Sequence, residues 1–156
     1  MPLNSVAEHG DLKLIVIDAL PHEPLREGNE SLAECQAIRQ YLDGLPKTAE
    51  QDEESYVILT PYRKQVAALN STISSARRER RVLTIHRSQG REWNTVLLSV
   101  MDQRPRVFTD SNDQKGLHVL NTAVSRARKS LVIFCNRKSW EQHPEQLITQ
   151  LIRLAG

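Results

Sequence analysis

Cysteine, one-sided charge and long apolar runs are all scarce in this chain, and each scarcity closes a door. The 156 residues include 2 cysteines, Cys35 and Cys135, which lie far apart. Neither a disulfide framework nor a thiolate zinc site can be built from them. Both stand in apolar periodic runs, where cysteine acts as a small buried hydrophobe in a reducing compartment. No apolar run approaches bilayer length, and residues 1–10 lack the apolar centre of a signal peptide. A cytoplasmic protein with no membrane partner is expected. The net charge of +2 nominates no partner by itself.

One further absence bears on chemistry. The chain has no G-x-x-x-x-G-K-[ST] stretch and no G-x-G-x-x-G. "LIVID" at 14–18 has the look of the metal-binding strand of a phosphate-loop ATPase. Too little chain precedes it to hold a strand, phosphate loop and helix, and Ala19 stands where a second acid is often found. Asp18 is therefore taken as a strand-end residue without a catalytic role.

What is present fits one soluble domain. Hydrophobic residues make up 39% and charged residues 26%, enough for a real core. We expect a flexible segment over 1–10 and a single domain over 11–156. Strand and helix signals alternate along it. "LKLIVIDAL" (12–20), "YVILT" (56–60), 82–86, 95–100 and "SLVIFC" (130–135) read as strands. "SLAECQAIRQYL" (31–42) sets Leu32, Cys35, Ile38 and Leu42 on one helical face, with Ser31 and Glu34 as a capping box. Thr60 is expected to cap the next helix, with Pro61 in its first position and Val66, Leu69 and Ile73 on its apolar face. "LHVLNTAVSRAR" reads as a helix, and a last helix begins near Pro144. The strands are apolar throughout rather than alternating, as burial on both faces requires. Fold class is thus α/β: a mainly parallel sheet covered by helices on two sides.

Three polar stretches adjoin these strands, and ligands of such sheets gather outside the carboxyl ends. "TPYRKQ" (60–65) offers a helix start with free backbone N–H groups, two cations and the Tyr62 ring. Its bland alternative is a capped helix with solvated charges. "HRSQGRE" (86–92) concentrates hydrogen-bonding groups between two buried strands. Gly90 lets backbone approach a ligand, Arg91 brings charge, and Glu92 suits a sugar's hydroxyls. "SRARK" (125–129) holds Arg126 and Arg128, planar cationic forks that fit phosphate. On a helix the two would face different sides, so at most one is expected to reach a given phosphate. The basic run Arg77, Arg78, Arg80 and Arg81 either lines a nucleic-acid track or is a solvated helix end.

Taken together, "VILTPYRKQ", "LTIHRSQGREWNTVLLS" and "LNTAVSRARKSLVIF" resemble, in order, motifs IV, V and VI of superfamily 1 helicases. The similarity is to the second, carboxyl-terminal RecA-like domain of the Upf-like and RecD-like branch and covers roughly residues 11–153. Ser125 replaces the usual motif VI threonine. The resemblance implies a three-layer RecA-like domain of the phosphate-loop NTPase type that lacks its own phosphate loop. It also implies ATP with Mg2+, held mainly by a first RecA-like domain of the same parent protein, and single-stranded DNA or RNA as partner. Arg126 then matches the arginine finger at the γ-phosphate. Gln89, Gly90, Arg91, Glu92 and Arg128 match nucleotide-facing positions, with Glu92 at the ribose. Thr60, Pro61, Tyr62, Thr84 and His86 match positions facing the single strand. Many relatives carry a further γ-phosphate arginine ahead of the TPY strand; Leu32 stands near that place here, with Arg26 before it. A different class of reading is an accessory module that binds single strands or a partner protein without ATP chemistry.

Overall fold

Five apolar segments pair side by side in a computed structural model that describes residues 12–20, 31–73, 81–101 and 115–155. They are β1 (Lys13–Asp18), β2 (Tyr56–Thr60), β3 (Val82–Thr84), β4 (Trp93–Ser99) and β5 (Ala127–Cys135). The sheet order is β1-β5-β4-β2-β3, and every neighbouring pair is parallel. The helices are α1 (Leu32–Asp43), α2 (Thr48–Gln51), α3 (Arg63–Thr72), α4 (Lys115–Ser125), α5 (Arg137–Trp140) and α6 (Leu147–Leu154).

Both faces of the sheet are covered, which explains the unbroken apolar strands. Tyr56, Ile58, Leu97, Val132 and Phe134 turn to one side and pack on Cys35, Ile38 and Leu42 of α1 and on Ala68 and Leu69 of α3. Their alternates Val57, Leu59, Val96, Leu98, Leu131 and Ile133 turn to the other. There they meet Leu120, Ala123 and Val124 of α4, Trp140 of α5, and Ile148, Leu151 and Ile152 of α6. Each Val, Leu, Ile or Phe among them contributes about 1.5–3 kcal/mol relative to exposure. The expected three-layer α/β class is the one observed.

Several local expectations are corrected. The strand expected over 82–86 stops at Thr84, and Ile85–Ser88 curl into a 3₁₀ turn closed by Ser88 Oγ donating to the Ile85 carbonyl. Ile85 remains buried, so the apolar run continues while the backbone turns. Thr60 does not cap α3: it ends β2, Tyr62 occupies the cap position, and no side chain caps it. The run "SRAR" is not helical throughout. α4 ends at Ser125, Arg126 turns, and Arg128 already lies in β5. Pairing of Ala127 with Trp93 outweighs the helix preference of Ala and Arg there. Asp18 ends β1, as expected, and its Oδ1 accepts from Arg137 N at the start of α5 at 3.0 Å. Segment 1–10, the run 77–80, Arg26 and most of the polar loop after 101 lie outside the described residues.

One connection positions everything that follows. β3 and β4 run parallel with β2 between them, so residues 85–92 must carry the chain from the sheet's carboxyl edge to its amino edge. Thr84 is level with Thr60, whereas Tyr56 pairs with Thr95, two residues inside β4. The return path is about 22 Å at ~3.3 Å per strand residue and ~4.8 Å per strand spacing. With a 3₁₀ turn in it, this stretch reaches only about 25 Å.

Candidate functional site

At the amino edge, the starts of β4 and β5 are stitched together. Trp93 N donates to the Arg126 carbonyl at 2.8 Å, one residue past Glu92. Glu92 and Arg126 therefore flank adjacent strand starts. Arg126 N donates to the Ala123 carbonyl at 3.3 Å, which ends α4 and fixes the turn. Its side chain is half-buried, and Nε lies out of solvent with no hydrogen-bond partner. A buried guanidinium N–H without an acceptor is costly and would be satisfied by an arriving anion.

The residues before β4 are exposed. Gln89, Gly90, Arg91 and Glu92 form the end of the crossover. Arg91 stacks its guanidinium over the Trp93 ring at 4.6 Å, and its N–H donates to the Ser88 carbonyl at 3.2 Å. Gly90 has φ +78°, yet a Cβ there would meet nothing within 4 Å. Its left-handed backbone, not crowding, is what calls for glycine. Arg128 donates from Nη1 to Glu54 Oε2 at 3.0 Å. That hydrogen bond is the main cause holding its pKa above the ordinary arginine value, and the fields of Glu54, Glu92 and Asp52 add to it. Arg126, Arg128, Glu92 and Gly90 thus share one edge.

The strand-facing candidates share the opposite edge. Thr60 and Thr84 pair in register at the ends of β2 and β3. Pro61, Tyr62 and Thr84 are half-buried and His86 is exposed. Thr60 itself is 0% exposed and its Oγ1 has no hydrogen-bond partner, so the surface here comes from its neighbours. The rule that placed ligands at carboxyl ends fits this group only; the phosphate-matching arginines stand at amino ends.

Arg81 does not join a nucleic-acid surface. It is 7% exposed and lies just before β3, at the amino edge. Nη1 donates to Ser55 Oγ and the Tyr56 carbonyl, Nη2 to the Glu50 and Asp52 carbonyls, and the guanidinium caps the Tyr56 ring at 4.3 Å. Glu50 accepts from Tyr56 OH at 2.8 Å. The Asp52 carbonyl also accepts from Ser55 N at 3.1 Å and Ser55 Oγ at 2.8 Å, and the arginine adds N–H groups held in one plane to the acceptors around it.

Sequence reasoning also missed a buried polar group beneath the carboxyl edge. Glu34, Gln65 and Ser99 are 2%, 0% and 0% exposed. Only half of the expected capping box forms: Ser31 Oγ accepts from Glu34 N at 3.3 Å, while Ser31 N donates to Gln65 Oε1 at 2.8 Å. The Glu34 carboxylate instead accepts from Ser99 Oγ at 2.7 Å and Met101 N at 3.0 Å. Its partners lie more than sixty residues away, beyond any local signal. Among the described residues, no three His, Cys, Asp or Glu side chains group to hold a metal ion, and no helix is long and apolar enough to cross a membrane.

A family model described as an AAA domain, AAA_12, matches residues 10–138. The chain is 29% identical over 141 residues to the 3′-5′ exoribonuclease HELZ2 of Mus musculus, covering 83% of this chain and 5% of that protein. Among solved structures it is similar to the PRRSV nsp10 helicase, at 15% identity and TM-score 0.36, over 79% of this chain and 16% of that one. It is also similar to the C-terminal domain of a possible DNA helicase from Lactobacillus plantarum WCFS1. There identity is 16% and TM-score 0.49, over 80% of this chain and 73% of that one.

Proposed function

The chain belongs to the AAA_12 family of AAA domains, within the superfamily 1 helicases, and from that premise we propose that it is the carboxyl-terminal motor domain of an ATP-dependent helicase or translocase. On this reading it is of the Upf-like and RecD-like branch and works against a first RecA-like domain of the same parent protein. The observation that carries the reading is the sorting of candidates onto two opposite edges. Arg126, Glu92, Gly90 and Arg128 lie at one, Pro61, Tyr62, Thr84 and His86 at the other, and residues 85–92 run between them.

The residues fit a nucleoside triphosphate. Arg126 has an unpartnered buried Nε, and the Glu92 carboxylate stands exposed beside the same strand starts. Arg126 would meet the γ-phosphate, Glu92 the ribose hydroxyls, and the Gly90 backbone the same phosphate, with Gln89, Arg91 and Arg128 around them. ATP and Mg2+, held mainly by the other domain, supply the phosphoanhydride and its cationic counter-charge. Arg126 neutralises charge that spreads over the transferred group, and Glu92 orients the sugar. Pro61, Tyr62, Thr84 and His86 grip a single strand of DNA or RNA by its backbone. Closure of the two domains is the two-state element that both ligands bias. An accessory module without ATP chemistry would have no use for Arg126.

Joining this chain to an upstream phosphate-loop half tests the reading directly. Strand-stimulated ATPase should fall about 10³-fold or more in Arg126→Ala. The chain alone should hydrolyse no ATP. An unchanged rate in the variant removes the finger role.

A further inference from the structure

The motif IV stretch contains one residue that the proposed function leaves idle. Gln65 is the third residue of α3, directly behind the Thr60–Pro61–Tyr62 turn. Its side chain points inward and grips two other elements. Oε1 accepts from Ser31 N at 2.8 Å, while Nε2 donates to the Ser31 carbonyl at 3.2 Å and to Ser99 Oγ at 3.1 Å. The first pair is a two-point clasp between an amide side chain and the backbone at the head of α1. Ser99, the last residue of β4, in turn donates to Glu34.

Glu34 completes the group from the first turn of α1, where the helix dipole favours its charge. It accepts from Met101 N with both oxygens, at 3.0 and 3.2 Å. Met101 is buried and has φ +70°, a conformation that a bulky side chain rarely takes. Such a backbone persists only where surrounding contacts over-determine it. Charge-assisted hydrogen bonds donated to a buried carboxylate are contacts of that strength.

The same strand has its other end at the nucleotide-matching edge, one residue after Glu92. β4 is thus fixed at both ends: beside Arg126 by its first N–H, and beneath the TPY turn by Ser99 and Glu34.

We propose that Gln65 is a positioning residue. Through the Gln65–Ser99–Glu34 network it locks the first turn of α3 to the carboxyl end of β4 and so sets the Pro61–Tyr62 surface for a single strand. This rests on the reading of that edge as strand-binding. The network makes the TPY turn and β4 one body, so the turn takes its place from the sheet rather than from its own uncapped helix end.

The test uses the full chain, with Gln65→Leu, which keeps volume but loses the clasp, and Ser99→Ala, which removes one hydroxyl. Two readouts are taken well below each variant's melting temperature. The first is hydrogen exchange at the amides of residues 66–69, with Val96–Leu98 as internal reference. The second is affinity for a fluorescein-labelled 15-nucleotide oligothymidine at fixed salt. The expected result is exchange about tenfold faster in α3 with the reference unchanged, and strand affinity at least fivefold weaker, in both variants. Unchanged exchange in Ser99→Ala and in any folded Gln65→Leu overturns the lock. Faster exchange with unchanged affinity overturns the positioning role. If the unaltered chain binds no strand, the reading of the edge fails with that role, while exchange still decides the lock.

Discussion

Arg81 and Arg126 are both arginines at the amino edge of one sheet, and Glu34 and Glu92 are both glutamates close to strand ends, yet each pair divides by burial. Arg81 spends its donors on four protein acceptors; Arg126 keeps Nε without one. Glu34 is enclosed and bonded, whereas Glu92 stands in solvent. Residue type nominates a group for phosphate or sugar, but the acceptors that the fold brings to it decide whether it is free to serve. A charge tied up inside the domain is structural; one left half-satisfied at an edge is available.

Substitutions that swap the two roles sharpen this contrast. The largest effect is expected from Glu34→Leu, which leaves Ser99 Oγ and Met101 N without an acceptor inside the domain. About 3 kcal/mol should be lost, seen as a fall in Tm of roughly 10 °C. An unchanged melting curve would show that the carboxylate is dispensable. Arg81→Met comes next, at about 2 kcal/mol by urea unfolding, since carbonyls near the exposed Asp52 can recover water. Were it to destabilise less than Glu92→Ala does, the division by burial would collapse. Gly90→Ala should cost about 1 kcal/mol, because the left-handed backbone is strained for alanine although space is open. Stabilisation there would contradict the observed dihedral. Smallest of all is Glu54→Gln, which breaks the exposed ion pair to Arg128. Its urea midpoint should stay within scatter, and any difference should vanish in 1 M salt.

The sequence disclosed the strands and both helical layers because burial on two faces leaves runs such as "YVILT" and "SLVIFC" with consecutive apolar residues rather than an apolar–polar alternation. Three ordered motifs nominated the candidate residues that the fold sorts onto the two edges. Other features were hidden for physical reasons. Ile85 is buried inside a turn, so its hydrophobicity extended the apparent strand past Thr84. Arg128 sits in a strand because Ala127 pairs with Trp93, a contact between residues more than thirty positions apart. Arg81 was grouped with its basic neighbours because nothing local announces the carbonyls of residues 50, 52 and 56. The Glu34–Ser99 bond spans 65 positions and left no trace in spacing.

Residues 85–92 cross from one rim of the sheet to the other with only a few ångströms to spare. A tether that short acts like a drive belt with little backlash: a pull on Glu92 larger than that slack reaches Thr84 unless the 3₁₀ turn at Ile85–Ser88 opens. Splicing two glycines into it would lengthen the link without touching either strand pairing, and would slacken the coupling proposed between the two edges.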